Sequence, residues 1–326
     1  MRGRNEEGAA LLSVLLLVAV MAVLAVSALE RLKLSTHLAA NGAAMDQARA
    51  YSQAAETLAL MRITDLAQRD PAKTTLAGGW NGKRIPIPIP GGIATLRVRD
   101  GGNCFNLNSV ATGARGDQLS PNPTGIGQFV ALMVAIGIDV APARRIAAAL
   151  TDWVDSDSVA SPEGAEDDYY RGLASPYLPA NARMADASEL RAVAGVTPEI
   201  YERLRPWVCA LPDSDLSPLN INTLTLEQAP LFAMLLPEQL DVPRARKMLA
   251  QRPAAGYESL VRFWQLPALE ALNPGADVIA QTKLNTRWFA LDISIELGSA
   301  ELQETALIDG ALAPARLVSR QWGDPS

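Results

Sequence analysis

The sequence predicts an α+β protein with a long N-terminal helix, a small antiparallel sheet, and a large all-α block inserted into that sheet. Residues 9–29 contain no charged side chain, and a helical pattern continues beyond them. Alternating polar and apolar residues, which are typical of strands, occur before residue 100 and again after residue 285. The residues in between follow helical patterns. With only 5% aromatic residues and abundant Ala and Leu, the chain suits helical cores better than an all-β sandwich.

The first element is an apolar helix long enough to cross a membrane. About 20 apolar residues span a bilayer core as a helix, and residues 9–29 meet that length. Arg2 and Arg4 lie before this helix, so the positive-inside tendency places the short N-terminus in the cytoplasm. Two other interpretations stay open here: a secretory signal cleaved near the small residues Ala25 and Ala28, or a plain membrane anchor.

The second element is an amphipathic stalk that continues the same helix to about Leu66. Between Leu32 and Met61 the apolar residues fall near helical spacing, so one helix is expected to run from the membrane into the head. Gly42 is a weak point in this helix, because glycine in a helix interior costs about 1 kcal/mol.

The third element is a sheet whose strands come from two separate parts of the sequence. Residues 83–90 (KRIPIPIP) alternate, but their prolines restrict them to a sheet edge or an extended connection. Residues 93–100 alternate cleanly after a turn at Gly91-Gly92. Near the C-terminus a meander is expected over residues 287–297, 302–309 and 315–322. Together these strands would make one antiparallel sheet that covers one side of the stalk.

The block inserted between these strands contains a weak internal repeat. One copy begins CFNLNS at residues 104–109, and the other begins LNINT at residues 219–223. In each copy, an N-x-N start with Ser or Thr available for capping precedes a short apolar helix, a turn and a basic helix. We therefore expect two similar helical units.

A membrane-anchored DNA-uptake receptor is the alternative function, because helix-hairpin-helix DNA modules also begin N-x-N-T. Those modules hold phosphate with backbone N–H groups in a Gly-rich hairpin. The second copy has LLPEQ at residues 235–239 in that position, and the Gly125-Ile126-Gly127 sequence of the first copy precedes its apolar helix. Because the net charge is −6, the chain lacks the electrostatic drive of a nucleic-acid binder. We expect no nucleic acid among its partners.

The segment DWVDSDSVASPEGAEDDYY, residues 152–170, is the main candidate for a ligand site. It is crowded with carboxylates and contains no Lys or Arg. Oxygen ligands without His or Cys select a hard cation, and a flexible acidic loop suits calcium better than magnesium. Val159 and Ala160 stand where an EF-hand needs acidic and Gly residues, so the segment is not an EF-hand. A solvated acidic loop between helices is the alternative.

Catalysis is disfavoured by the residue types that the sequence lacks. Its single histidine, His37, excludes a His-centred triad or a multi-His metal site, and no nucleophile elbow, phosphate loop or zincin motif occurs. Asp155 and Glu166 could be imagined as the carboxylate pair of a glycoside hydrolase. Their clustering in one loop argues for chelation instead, so we expect no enzyme activity, no catalytic residue and no small-molecule substrate.

The two cysteines, Cys104 and Cys209, admit two interpretations: a disulfide or two small buried thiols. Outside the cytoplasm the compartment is oxidising, which favours the disulfide for a head on the far side of the membrane. Such a bond would close a loop of about 105 residues, worth about 4–5 kcal/mol in the chain-entropy model.

The N-terminus resembles that of a type IV pilin-like precursor. The leader MRGRNEEG is short and polar, and Gly8 stands directly before the apolar helix. In that family a prepilin peptidase cuts after the glycine and the helix is retained, which would make Ala9 the first residue. Most pilins have Glu at the fifth mature position, where this chain has Ser13. That departure resembles the K-type minor pseudopilin of type II secretion systems.

The acidic segment carries a second resemblance to K-type pseudopilins. Their D-W-x-D-x-D…G-A-E-D element binds calcium in the periplasmic head, and this chain has DWVDSD at residues 152–157 and GAED at residues 164–167. The calcium ligands that the resemblance implies are Asp155, Asp157, Glu166 and Asp167, with Asp152 and Asp168 as possible partners. The helical repeat also resembles the SAM-like helical pairs of the K-type head.

Over nearly the whole chain, the resemblance implies a type IV pilin-like fold with an inserted domain of two SAM-like units. The leader, transmembrane part, stalk with first strands, insertion and remaining strands would lie at residues 1–8, 9–29, 30–108, 109–282 and 283–326. The implied function is that of a minor pseudopilin at the tip of the pseudopilus, needed for pseudopilus assembly and for export of folded periplasmic proteins across the outer membrane.

The resemblance also implies a location and a set of partners. The chain would cross the bacterial inner membrane once, with its N-terminus in the cytoplasm and its head in the periplasm. Its partners would be the I-type and J-type minor pseudopilins, the prepilin peptidase and the inner-membrane secretion platform.

Overall fold

The computed structural model describes residues 3–113, 118–272 and 274–323, and for residues 3–9 the backbone alone. The chain begins with helix α1 (Gly3–Arg69), which is followed by strands β1 (Arg84–Ile89) and β2 (Gly92–Asp100). The short strands of the inserted block are β3 (Phe105–Asn106), β4 (Ala111–Thr112), β5 (Ser120–Pro121), β6 (Val208–Cys209), β7 (Leu219–Asn220) and β8 (Thr282–Lys283). The chain then returns to the main sheet with β9 (Trp288–Leu297), β10 (Ala300–Asp309) and β11 (Arg316–Trp322).

The inserted block is otherwise helical. Its α-helices are α2 (Pro123–Ala135), α3 (Val140–Val154), α4 (Asp167–Arg171), α5 (Pro198–Leu204), α6 (Ala229–Ala233), α7 (Val242–Ala250), α8 (Leu260–Trp264), α9 (Pro267–Glu270) and α10 (Ala276–Gln281). Two 3-10 helices lie at Leu107–Val110 and Ala187–Ala192. The block was expected to be all-α, and the short strand pairs are the part of it that the sequence patterns did not predict.

Helix α1 packs against the sheet through its C-terminal part. Ala48, Ala55, Ala59 and Ile63 are buried there at helical spacing, and the small alanines let the helix approach the strands closely. Residues 10–43 of the same helix are exposed. The single long helix expected from the apolar run and the stalk pattern is therefore confirmed, and it runs slightly past the predicted end.

Five strands form one antiparallel sheet in the order β1-β2-β9-β10-β11. Strand β2 pairs along its length with β9, which places Asp100 opposite Phe289. The chain thus leaves the sheet from one strand and re-enters it in the neighbouring strand. Pro86 and Pro88 lie in β1 at the sheet edge, where their missing N–H groups interrupt no ladder. The small antiparallel sheet expected from the two alternating regions is confirmed.

Two hydrophobic clusters hold the described residues together. One lies between α1 and the sheet and includes Ile63, Phe289 and Ile295. The other lies inside the inserted block, where the rings of Phe105 and Phe129 stack with centroids 4.7 Å apart. The block therefore has its own core and does not share the core of the sheet.

The internal repeat appears as two parallel strand pairs, β3 with β6 and β7 with β8. Each pair joins the strand at the start of one unit to the strand at its end. In both units the first Asn of the N-x-N motif accepts a hydrogen bond from the backbone N–H of the second: Asn106 from Asn108 at 3.2 Å, and Asn220 from Asn222 at 2.9 Å. The second Asn then exchanges hydrogen bonds with a distant backbone segment. The motif thus fastens loops in both units, and in the first unit Asn106 also caps the 3-10 helix Leu107–Val110.

Candidate functional site

The acidic segment lies between two helices that bring its carboxylates together. Asp152 lies in the last turn of α3, and Asp155 is the C-terminal cap residue of that helix. Glu166 is the N-cap residue of α4, where its side chain accepts from the N–H of Asp167 at 3.2 Å. The loop between the two helices carries Asp157. Helix ends thus set the positions of two predicted ligands, Asp155 and Glu166, and of the possible partner Asp152.

Asp155, Asp157 and Glu166 form a compact group. One carboxylate oxygen of each lies within 4.8 Å of the other two. Asp155 and Glu166 are buried, and Asp157 is exposed. Among the described residues, Asp155 Oδ1 and Glu166 Oε1 have no hydrogen-bond partner. Buried carboxylate oxygens without donors are costly, and a hard cation would satisfy them, so the group fits calcium by donor type and spacing.

The electrostatics of this group also favour a cation. Burial, followed by repulsion from Asp157, Asp152 and Glu166, raises the pKa of Asp155 to about 7. Burial is likewise the main cause that raises the pKa of Glu166 and the pKa of Asp152. Desolvated like charges oppose each other's ionisation, and a positive ion between them would remove that penalty.

Asp152 lies outside the group of three and holds the loop in place. Both of its carboxylate oxygens lie 3.1 Å from the Ser161 backbone nitrogen, whose N–H they accept, and the side chain is fully buried. A Cβ atom added to Gly164 would lie 2.0 Å from Asp152 Oδ2, so only glycine allows this close approach. Sequence reasoning missed that role of Gly164. A glycine within an acidic loop was the signal that could have indicated such a close approach.

Asp167 and Asp168 do not join the group, although both were named as ligands or partners. Asp167 Oδ2 accepts a hydrogen bond from Arg171 Nη2 at 2.6 Å, and Asp168 Oδ1 lies 3.8 Å from Arg171 Nη1. Asp168 is exposed. Spacings of three and four residues on one helix bring such opposite charges together, and that spacing was the signal for this pairing.

Aromatic side chains pack beneath the acidic segment. The ring of Trp153 is buried, with its centroid 5.4 Å from that of Tyr170 and 6.2 Å from that of Tyr177. The Tyr170 hydroxyl accepts the backbone N–H of Ala194 at 3.1 Å. Tyr169 is half exposed and meets Tyr170 edge-on. These rings support the end of α3 and the start of α4.

Cys104 and Cys209 are joined by a disulfide with their Cα atoms 5.8 Å apart. Cys209 lies in β6, and Cys104 directly precedes β3, so the bond lies beside the strand pair that closes the first unit. The disulfide expected from the oxidising compartment is present, and the interpretation as two free thiols is wrong.

In the described part of the chain, α1 is the one helix long and apolar enough to cross a membrane. Ser13 lies in its exposed N-terminal stretch. The backbone of Gly8 and Ala9 belongs to the same helix, and for these two residues the structure describes the backbone alone. Processing between them stays a prediction.

Comparison with known proteins gives matches along the whole chain. Two family models described as type II secretion system (T2SS) protein K match residues 103–213 and 219–286. The type II secretion system protein K of Pectobacterium carotovorum subsp. carotovorum is 34% identical over 331 residues, which cover 99% of this chain and 98% of the relative. The protein of the same name from Aeromonas hydrophila is 36% identical over 314 residues, 94% of each chain.

The fold also resembles a solved structure. A chain in the crystal structure of the GspK-GspI-GspJ complex from the enterotoxigenic Escherichia coli Type 2 Secretion System superimposes with a TM-score of 0.73. The two chains are 30% identical, and the match covers 86% of this chain and 96% of the other. The two family matches begin and end close to the two repeat units that the strand pairs close.

Proposed function

The chain belongs to the type II secretion system protein K family, and from that premise we propose that it caps the pseudopilus tip together with I-type and J-type minor pseudopilins. As a member of that family it is a minor pseudopilin of type II secretion. We propose further that its position at the tip serves pseudopilus assembly and the export of folded periplasmic proteins across the outer membrane.

The observation that carries the tip position is the inserted block with its own core. The block leaves the sheet after Asp100 and returns at Trp288, so it is larger than the sheet that it interrupts. Repeating it at every step of a helical filament would crowd the shaft, whereas a subunit at the end has nothing above it.

Two further observations support this position. Ser13 cannot provide the carboxylate that pairs with a neighbour's N-terminal amine, and a buried charge in lipid is stable only when it is paired. The similar solved chain belongs to a GspK-GspI-GspJ complex, which suggests I-type and J-type partners for this chain.

Assembly of purified full-length subunits tests the proposal. The chain is mixed in detergent with the I-type and J-type minor pseudopilins of the same bacterium, and the mass is measured by light scattering. We expect a complex with one copy of each subunit, and no complex when the major pseudopilin replaces the other two. Regular filaments formed by this chain alone, or no binding to either partner, would contradict the proposal.

We also propose that Asp155, Asp157 and Glu166 hold a calcium ion in the head. Their grouped oxygens, the two unpaired buried atoms and the raised pKa of Asp155 support a cation at this place. Asp152 would hold the loop through Ser161, and Asp167 would stay with Arg171. Calcium would supply positive charge that fastens the end of α3 to the start of α4.

Calorimetric titration and thermal unfolding of the full-length protein in detergent test this calcium proposal. Because a ligand of the folded state stabilises it by mass action, the midpoint should be higher in calcium than in chelator. Asp155→Asn should abolish the difference, and Asp168→Asn, which changes an exposed carboxylate outside the group, should keep it. Equal midpoints of the unchanged protein in calcium and in chelator would reduce the segment to a solvated acidic loop.

The N-terminus suggests how the chain reaches its site. We propose cleavage by the prepilin peptidase between Gly8 and Ala9, with the helix kept as a single inner-membrane anchor, the N-terminus in the cytoplasm and the head in the periplasm. In the inner membrane the chain would contact the secretion platform. N-terminal sequencing of membrane-associated protein should give Ala9 first, and Gly8→Val should keep the leader. A mature end near Ala28 would show a secretory signal instead.

We propose that this role is structural, without catalysis. The clustered carboxylates suit chelation, and Trp153 and Tyr170 fill the space beneath them. Membership of a secretion family gives no support to a DNA-uptake receptor or to a carboxylate hydrolase.

A further inference from the structure

A buried polar cluster lies where the inserted block meets the sheet, and Asp100 is at its centre. Asp100 is the last residue of β2 and is 7% exposed. Side chains from four stretches of the sequence meet there, at residues 74–81, 100–103, 220–223 and 286. These are the link after α1, the start of the block, the start of its second unit, and the return to the sheet.

The Asp100 carboxylate accepts hydrogen bonds from three of these stretches. Its Oδ2 accepts from the hydroxyls of Thr223 and Thr286, and its Oδ1 accepts from the Gly102 backbone N–H at 3.0 Å. The Asp100 backbone N–H donates to Asn81 Oδ1 at 3.0 Å. All these partners are uncharged. Burial raises the pKa of the Asp100 carboxyl, and the hydroxyl hydrogen bonds oppose that shift, so the carboxylate depends on these donors.

Two asparagines orient the threonine hydroxyls towards Asp100. Asn103 Nδ2 donates to Thr223 Oγ1 at 2.9 Å, and Asn220 Nδ2 donates to Thr286 Oγ1 at 2.9 Å. The backbone N–H of Asn220 donates to Asn103 Oδ1 at 2.8 Å, which connects the two asparagines. Because each hydroxyl oxygen accepts from an amide, its single hydrogen is free to be donated. For Thr223 the Asp100 carboxylate is the nearer acceptor, at 2.5 Å against 3.2 Å for the Asn220 carbonyl oxygen. Asn220, Thr223 and Asn103 are all buried, so water does not compete for these bonds.

The disulfide does not secure the junction that this cluster occupies. Cys104 and Cys209 close the first unit, whereas the second unit contains no cysteine. Its start, at Asn220 and Thr223, is tied through Asp100 to β2 and through Thr286 to the segment before β9.

We propose that Asp100 is the positioning residue that fixes the inserted block on the sheet, so that the stalk, sheet and block move as one body. A force applied along α1 would then be transmitted to the block, because no hinge between the sheet and the block would bend under it. The inference concerns the folded chain itself, and it holds whether or not the chain caps a filament.

Pulsed EPR measurements of the distance between two spin labels test this proposal. Cysteines are introduced at Glu301 on β10 and at Arg246 on α7, both exposed, in the full-length protein in detergent with its disulfide intact. The doubly labelled protein with Asp100 in place should give one narrow distance distribution. Asp100→Ala should lose the narrow peak, and Asp100→Asn should broaden it less, because the amide keeps one acceptor oxygen. Asp292→Asn, which breaks the ion pair with Arg99 on the same sheet, is the control and should leave the peak narrow. A narrow peak in Asp100→Ala would overturn the proposal.

Hydrogen exchange covers the case in which Asp100→Ala fails to fold. Thr286→Val keeps the side-chain shape and removes one donor. Amide protection should fall in residues 100–103 and 220–223 together, and should be unchanged in α1 and β10. Loss of protection throughout the sheet, or no loss at residues 220–223, would show that Asp100 does not position the block.

Discussion

At Asp155, protons would compete with the calcium ion proposed above. Burial and the neighbouring carboxylates raise its pKa from 3.8 to about 7 in the metal-free fold. Between these values the folded state binds more protons than the unfolded state. The free energy of unfolding of the metal-free protein should therefore fall as the pH rises through this range.

Calcium affinity should show the opposite trend. Below about pH 7 a proton occupies Asp155 and must leave before calcium binds, so affinity should rise between about pH 5 and pH 8 and then level off. Calorimetric titrations across this range measure the trend, and Asp168→Asn should follow the same curve. A calcium affinity independent of pH would mean that Asp155 is not a ligand.

Gly164 offers a second test at a single position. Gly164→Ala would place a methyl group 2.0 Å from Asp152 Oδ2, which would push that carboxylate away from Ser161. We expect weaker calcium binding and a lower melting temperature. Gly127→Ala is the matched control, because its Cβ would meet nothing within 4 Å and alanine favours a helix by about 1 kcal/mol. Equal calcium affinity in the two variants would contradict the role assigned to Gly164.

The first unit of the inserted block depends on its disulfide. The bond joins residues separated by 105 positions. In the chain-entropy model, closing a loop of this size raises the free energy of the unfolded chain, and so stabilises the fold, by about 4–5 kcal/mol. The double variant Cys104→Ala/Cys209→Ala should lose stability on that scale in denaturant unfolding, and reductant should not change it further. Stability equal to that of the oxidised protein would show that the strand pair beside the disulfide closes the unit by itself.

The elements that could be predicted from the sequence are those with a local pattern. The uncharged run predicts α1, and alternation predicts the sheet on both sides of the block. Crowded carboxylates indicate the acidic segment, and the resemblance to K-type pseudopilins names Asp155, Asp157 and Glu166 within it, which the structure brings together. The pairing of Asp167 with Arg171 was missed although its spacing was visible, because Asp167 had been assigned to a cation.

Other features were beyond sequence reasoning because they depend on contacts between distant residues. The pair β7–β8 joins Leu219 to Thr282, and the Asp100 cluster joins four separate stretches. Neither has a periodic signature. The sequence pattern predicts Asp100 as the last polar residue of a strand, and only the fold shows that its carboxylate is buried.

The described residues form three connected parts. Helix α1 contains the apolar stretch and the stalk, the five-stranded sheet covers the end of the stalk, and the inserted block carries the acidic group. The block has a core of its own and meets the sheet through polar contacts around Asp100. If Asp100 fixes the block on the sheet as proposed, the large head would be held firmly on the stalk, as the proposed position at the end of a filament requires.

The position of the chain in isolated pseudopili tests this account most directly. A gold label is attached to an introduced cysteine at the exposed residue Arg246 of α7, and sheared pseudopili are imaged by electron microscopy. The account predicts a single label at one end of each filament. Labels at regular intervals along the shaft would show that the chain is a shaft subunit and would contradict the assignment to the tip.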